Sequence, residues 1–265
     1  MKNNLKMELS RGFRTGTFIV SLFIGCLICF LNRYNFSKNI KSYGKNMISY
    51  KGWIGFEYTL PYSVIFFCIL PILAALPYAG SYFQDINSGY MKNICAKSSR
   101  KNYYFSKLIA VFIIAAVAVM VPMLLDLYVC AGLYPTRKPE LLLANVPGVS
   151  EKSLLSSFYS YNPIIYCLVF TLLDGVFAGL FGIFSVMISE KVQSLFACIC
   201  LPFLVYLVEG VAASDPENVK WSLNIIIMPL NGSYLCMDNF LFFIGSSFLI
   251  IGIWLAVKIR KKDVL

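Results

Sequence analysis

The chain has 265 residues, 58% of them hydrophobic and 14% charged, with a net charge of +10 and a mean hydropathy of +0.71. A soluble domain of this length does not carry that balance, so the composition is that of a membrane protein. There is no His, and no G-x-x-x-x-G-K-[ST] loop occurs, which removes zinc motifs built on H-E-x-x-H, Ser-His-Asp triads, Cys-His pairs and self-contained ATP hydrolysis by a P-loop.

Crossing a bilayer takes about 20 mostly apolar residues, at about 1.5 Å of rise each. Six stretches meet this, near residues 15 to 31, 60 to 80, 108 to 131, 163 to 188, 193 to 213 and 240 to 257. None alternates strictly between polar and apolar, which disfavours a transmembrane β-barrel. The expected fold is therefore an all-α polytopic membrane protein with six transmembrane helices, forming one domain over residues 1 to 265.

Residues 1 to 14 come first, basic and with Leu5, Leu9 and Phe13 at a spacing of four. The first span follows this basic start, as in a signal peptide. Its apolar run continues past Cys26 through Cys29 to Leu31, so we read it as a retained anchor. Cys26 and Cys29 make a C-x-x-C without a second pair or a His, so no metal site is expected. Cys130 and Cys236 fall toward the outer surface, where a disulfide between them is conceivable. The sequons at Asn35 and Asn231 also fall in expected outer loops and are read as chance.

Between the second and third spans lies "PYAGSYFQDINSGYMKNICAKSSRKNYYFSK", residues 77 to 107. Its apolar and aromatic positions Tyr82, Phe83, Ile86, Tyr90, Met91, Ile94 and Cys95 recur every three or four residues, the period of an amphipathic helix at a membrane surface. Gly89 breaks the run and predicts two short helices meeting at a bend. Ser98 and Ser99 are N-cap candidates for the helix that enters the third span.

Lys and Arg divide unevenly between the two sets of alternating loops. Fourteen fall at the termini and in the second and fourth loops, and nine in the other set. The positive-inside rule then places both termini and the 77 to 107 stretch in the cytoplasm of a multi-pass cell-membrane protein. Anionic lipid headgroups account for this basic side, and no nucleic-acid-binding module is present.

Three acids fall inside expected spans, Asp126, Asp174 and Glu209, and each is a candidate for lining a substrate path. Beside Asp174, Gly175 and Gly179 form a G-x-x-x-G face, with Gly182 beyond, on which helices can pack closely within one chain or across a dimer. Residues 221 to 230, "WSLNIIIMPL", are too short to cross and too apolar for an ordinary loop, which suits a segment dipping partway into the outer leaflet.

A Pro-rich second span, an acid, a glycine four residues on, and "SSRKNYYFSK" leading into the third span resemble the permease subunit of ABC-2-type ATP-binding cassette exporters. The small six-span size resembles peptide-antibiotic immunity and export permeases in particular. The resemblance implies a coupling helix over 81 to 101 that docks on a separate ATPase through Phe83, Asp85, Ile86, Gly89, Tyr90, Ile94 and Arg100. Glu190, in the short turn after the fourth span, would make a second contact. It also implies an amphipathic connecting helix over 1 to 14 and an outer re-entrant hairpin over 214 to 239.

On that reading the chain is not an enzyme by itself and binds no cofactor. ATP and Mg belong to the partner ATPase subunit, and a second permease chain completes the path for an amphipathic peptide, lipid or drug. The alternatives are a secondary transporter, or a membrane scaffold or sensor that binds a cytoplasmic partner through residues 82 to 101.

Overall fold

The computed structural model describes residues 2–38, 49–56, 61–78, 80–136, 155–192, 194–213, 215, 218–229 and 237–260. The Cys130 to Cys236 pairing and the Asn231 sequon lie outside the described residues, as do residues 214, 216, 217 and 230–236 of the expected outer hairpin. Among the described residues every regular element is helical: α1 (Lys2–Phe13), α2 (Gly16–Lys38), α3 (Pro61–Ala75), α4 (Ser81–Asn87), α5 (Tyr90–Lys97), α6 (Arg100–Leu133), α7 (Ser156–Tyr161), α8 (Pro163–Ser189), α9 (Leu195–Ala212), α10 (Leu223–Ile227) and α11 (Met237–Arg260). Short 3-10 turns at Ser49–Gly52 and Val219–Trp221 complete the set.

Five helices, α2, α6, α8, α9 and α11, are long and apolar enough to cross a bilayer. The second of the six expected spans is the exception. Its helix, α3, has 15 residues, about 22 Å at helical rise, against about 30 Å of hydrocarbon. Pro77 and Gly80 punctuate the chain just past its end, and the apolar run leaves the helix for a turn.

Where helices begin, local chemistry explains the start. Ser99 caps α6 by accepting the Asn102 N–H at 3.4 Å, and Asn162 caps α8 by accepting from Ile164 N–H at 3.0 Å, with Pro163 at the first helical position. Gly89 adopts φ +70° between α4 and α5, a left-handed conformation that costs a side-chain-bearing residue energy.

α6 and α8 form the centre and make the most extensive contact in the molecule. Lipid is as apolar as leucine, so close approach rather than water exclusion must hold such a pair. A Cβ added to Gly175 would lie 2.3 Å from the Met120 sulfur, one on Gly179 2.3 Å from the Phe112 ring, and one on Gly182 2.8 Å from Ala115 Cβ. The G-x-x-x-G face is thus used inside the chain, against α6.

α3 runs antiparallel beside α2 from end to end. Thr17 Oγ1 donates to the Pro77 carbonyl at 2.9 Å, Ser21 Oγ to the Leu73 carbonyl at 2.7 Å, and Asn35 Nδ2 to the Tyr62 hydroxyl at 3.0 Å. α11 is the least embedded helix, with Leu241, Phe242, Phe248, Leu249, Ile250 and Ile253 exposed along it.

Candidate functional site: a buried charge cluster joining four helices

α1 is basic, yet one acid, Glu8, sits one turn from both Leu5 and Gly12 on the helix face turned to the protein, and it is 1% exposed. That face lies along the start of α6, where Lys107 is equally buried. Lys107 Nζ donates to Glu8 Oε2 at 2.9 Å and to Asp85 Oδ2 at 2.7 Å. Asp85, from α4, also accepts from Arg11 Nη2 at 2.9 Å and from the Tyr103 hydroxyl at 2.8 Å.

Two further phenols converge on Glu8, Tyr78 at 2.8 Å and Tyr90 at 3.2 Å, and Arg11 Nη1 closes the ring at 3.3 Å. The Arg11 guanidinium lies 4.2 Å from the Tyr90 ring centre, and Lys107 Nζ lies 4.4 Å from that of Tyr78. Two acids and two bases cancel in charge, and every carboxylate oxygen has a donor, which a buried ionic cluster requires.

Burial, then the charge of Glu8, pushes the Tyr90 phenol above its ordinary range, so it remains a protonated donor. Burial alone would lower Arg11. The hydrogen bond it donates to Asp85 and the charges around it outweigh this, and the guanidinium holds its proton more firmly than usual. The cluster therefore locks α1, α4, α5 and α6 together, with Asn4 Nδ2 adding a 2.9 Å bond to Ser98 Oγ.

The residues expected to face an ATPase separate into two groups. Asp85 is fully buried and Tyr90 is half-buried with its hydroxyl on Glu8, so both hold the arm in place from inside. Phe83 and Ile94 are half-buried, Arg100 opens α6, and Ile86 is 44% exposed beside Asn87 and Ser88 next to the Gly89 bend. Glu190 follows α8 and is tied to α11, accepting from Trp254 Nε1 at 3.0 Å and pairing with Lys258. Trp254 packs edge-on against Tyr104, which keeps this turn at the same end of the bundle as the cluster.

The intramembrane acids are each held differently. Asp126 pairs with Arg33 at 2.9 Å and accepts the Ile54 N–H at 2.8 Å, while Arg33 also donates to the Gly52 carbonyl at 2.7 Å and touches the Cys130 thiol. Trp53, buried beside them, donates to the Met123 carbonyl at 3.2 Å. This second ion pair pins residues 49–56 onto α2 and α6 at the end opposite the cluster.

Glu209 accepts the Leu223 N–H with both oxygens at 3.1 Å, at the start of α10. α10 packs on α3, α8 and α9, with Ile226 and Ile227 buried. Asp174 is fully buried, and neither of its oxygens has a hydrogen-bond partner among the described residues. Asp126 borders a small groove between α2 and α6, and Glu209 a different one on α9.

Glu8 and Arg33 escape a reading based on composition and topology. Glu8 had a legible signal, as the only acid in a basic helix and one aligned with its apolar face. Arg33 had a weaker one, lying at the end of an apolar span with Asp126 expected at the same depth. No group of three or more His, Cys, Asp or Glu suited to a metal occurs among the described residues. No protein-family model, curated protein or solved structure matches the chain.

Proposed function

We propose that the chain is the permease subunit of an ABC-type exporter, moving an amphipathic peptide, lipid or drug across the cell membrane with energy from a separate ATPase. The observation that carries this reading is the α4–α5 arm. Its root is fixed to α1 and α6 by four charge-assisted or phenolic hydrogen bonds of Asp85 and Tyr90, while its bend leaves Ile86, Asn87 and Ser88 exposed. A push on such a tip reaches two other helices without being absorbed by a flexible joint, which is what coupling to a cytoplasmic motor requires.

The antiparallel α2–α3 pairing supports six crossings, because α1 and α4 are bonded at one end of the bundle and the chain must return to that end after α2. With both termini cytoplasmic, the arm and the Glu190 turn face the ATPase, α10 belongs to an outer re-entrant segment, and ATP and Mg stay on the partner. Two ATPase copies imply a second permease chain, identical or related.

Co-expression with any cassette ATPase encoded by a neighbouring gene tests the reading. The ATPase is expected to co-purify with the wild type and to be lost from Ile86→Glu, while Thr136→Glu at the opposite end retains it. Absence of a co-purifying ATPase, or unchanged association in Ile86→Glu, would defeat the proposal. A specific observation favours one rival, an ion-coupled secondary transporter, namely Asp174, buried and without a hydrogen-bond partner among the described residues. Loss of transport in Asp174→Asn with ATPase coupling absent would select it.

A further inference from the structure

Beside the charge cluster, a cleft of about 750 Å³ opens between the α1–α2 junction, the turn from α3 into α4, and the start of α9. Its lining is mixed. Arg11, Arg14, Gly16 and Thr17 contribute polar groups, and Val20, Leu76, Leu195 and Ile199 contribute aliphatic ones.

Arg11 is committed to Asp85 and Glu8, whereas Arg14 is exposed and has no hydrogen-bond or ion-pair partner among the described residues. Gly16 and Thr17 open α2 at the positive end of its dipole; the next two amides, of Phe18 and Ile19, bond back to Thr15, which leaves those of Gly16 and Thr17 without a carbonyl within the helix. The Thr15 and Thr17 hydroxyls spend their protons on the Gly12 and Pro77 carbonyls. The cleft thus offers a free guanidinium and the first two amides of α2, together with aliphatic surface from α2, α9 and the turn after α3.

We propose that this cleft binds an anionic phospholipid, its phosphate against Arg14 and the α2 N-terminus and the start of its acyl chains along Val20, Leu195 and Ile199. Charge complementarity selects the anionic headgroup, because the donors carry positive charge and the cleft lining includes no acid. The apolar wall selects a lipid over a soluble anion, since a free phosphate would gain nothing from it. Volume fits as well, being within the roughly 300–1,000 Å³ typical of a ligand site. Arg11 lines the cleft and also bonds Asp85, so the bound lipid sits directly against the cluster that roots the α4–α5 arm. The site does not depend on the transport reading.

The test is native mass spectrometry of the full chain extracted with equal amounts of phosphatidylglycerol and phosphatidylcholine. Phosphatidylglycerol is expected to be retained preferentially. Arg14→Gln should lower that retention roughly fivefold, the equivalent of about 1 kcal/mol per basic residue near anionic lipid. Lys6→Gln, which removes an exposed α1 charge outside the cleft, should leave it unchanged. Val20→Trp, which fills the apolar side from an exposed position, should also reduce retention at an unchanged melting midpoint.

Equal retention of the two lipids would overturn the site. So would equal losses in Arg14→Gln and Lys6→Gln, which would mean only diffuse surface attraction. Displacement of phosphatidylglycerol by millimolar inorganic phosphate would mark a soluble-anion site instead, and full retention in Val20→Trp would remove the acyl-chain contact.

Discussion

At the scale of single residues, the chain places ion pairs where water cannot reach them, and their value lies in completeness. Removing one member of a buried pair strands the other, which costs about 3–5 kcal/mol, whereas removing both can be neutral. Asp85→Asn should therefore destabilise the detergent-solubilised protein by roughly that amount, because Lys107 and Arg11 lose their shared acceptor. Adding Lys107→Met to Asp85→Asn should recover more than about 1 kcal/mol, read as non-additive melting midpoints. The same logic applies to Arg33 and Asp126 at the other end. Asp126→Ala alone should open residues 49–56 to protease, while Arg33→Met with Asp126→Leu should protect them again. Asp85 and Asp126 were visible in the sequence as amphipathic-helix and intramembrane charges. Their partners were not, because Glu8 with Lys107 and Arg33 with Asp126 are separated by 99 and 93 positions and only the packed bundle brings them together.

At the scale of elements, local chemistry was legible and tertiary use was not. The Gly89 break, the Ser99 cap and the long apolar runs all follow from residue type and period, and the helices start and bend there. The depth of α3 was hidden, since composition cannot show where Pro77 and Gly80 turn an apolar run out of its helix. The partner of the Gly175 face was hidden too, because small residues serve an internal neighbour and a second chain equally well. Gly182 now gives the sharpest test of that packing. Its nearest neighbour is Ala115 Cβ, which has no side-chain freedom with which to yield, so Gly182→Ala must separate α6 from α8. That should cost about 1–3 kcal/mol by overpacking, against a helix-propensity gain of about 1 kcal/mol. Gly252→Ala on α11, with open space around it, keeps only the propensity gain. A lower melting midpoint for the first variant and an equal or higher one for the second is the expected result.

At the scale of the whole molecule, the question is how many times the chain crosses. Counting only helices long enough to span gives five, and an odd number would put residues 2–13 and 237–260 on a plan with opposite outer ends. The contacts argue otherwise. Arg11 and Glu8 precede α2, and Asp85 and Tyr90 follow α3, yet these residues bond one another. Arg33 and Tyr62, at the far ends of α2 and α3, lie with residues 49–56 and Asn35 respectively. The chain therefore goes out along α2 and comes back along α3, whatever the length of the helical part. Fifteen helical residues suffice if the turn around Pro77 and Tyr78 carries the chain through the remaining depth, with the Pro77 carbonyl satisfied by the Thr15 and Thr17 hydroxyls. On the six-crossing plan proposed above, α1, the α4–α5 arm and the Glu190 turn share a side. In a background with native cysteines replaced, Asn87→Cys and Lys191→Cys should react with a membrane-impermeant thiol reagent only after the cells are opened, and Thr136→Cys before. Reaction of Asn87→Cys from outside alongside protection of Lys191→Cys would mean that α3 turns back without crossing, and the bonded ends of α2 and α3 would then have to lie within a re-entrant pair.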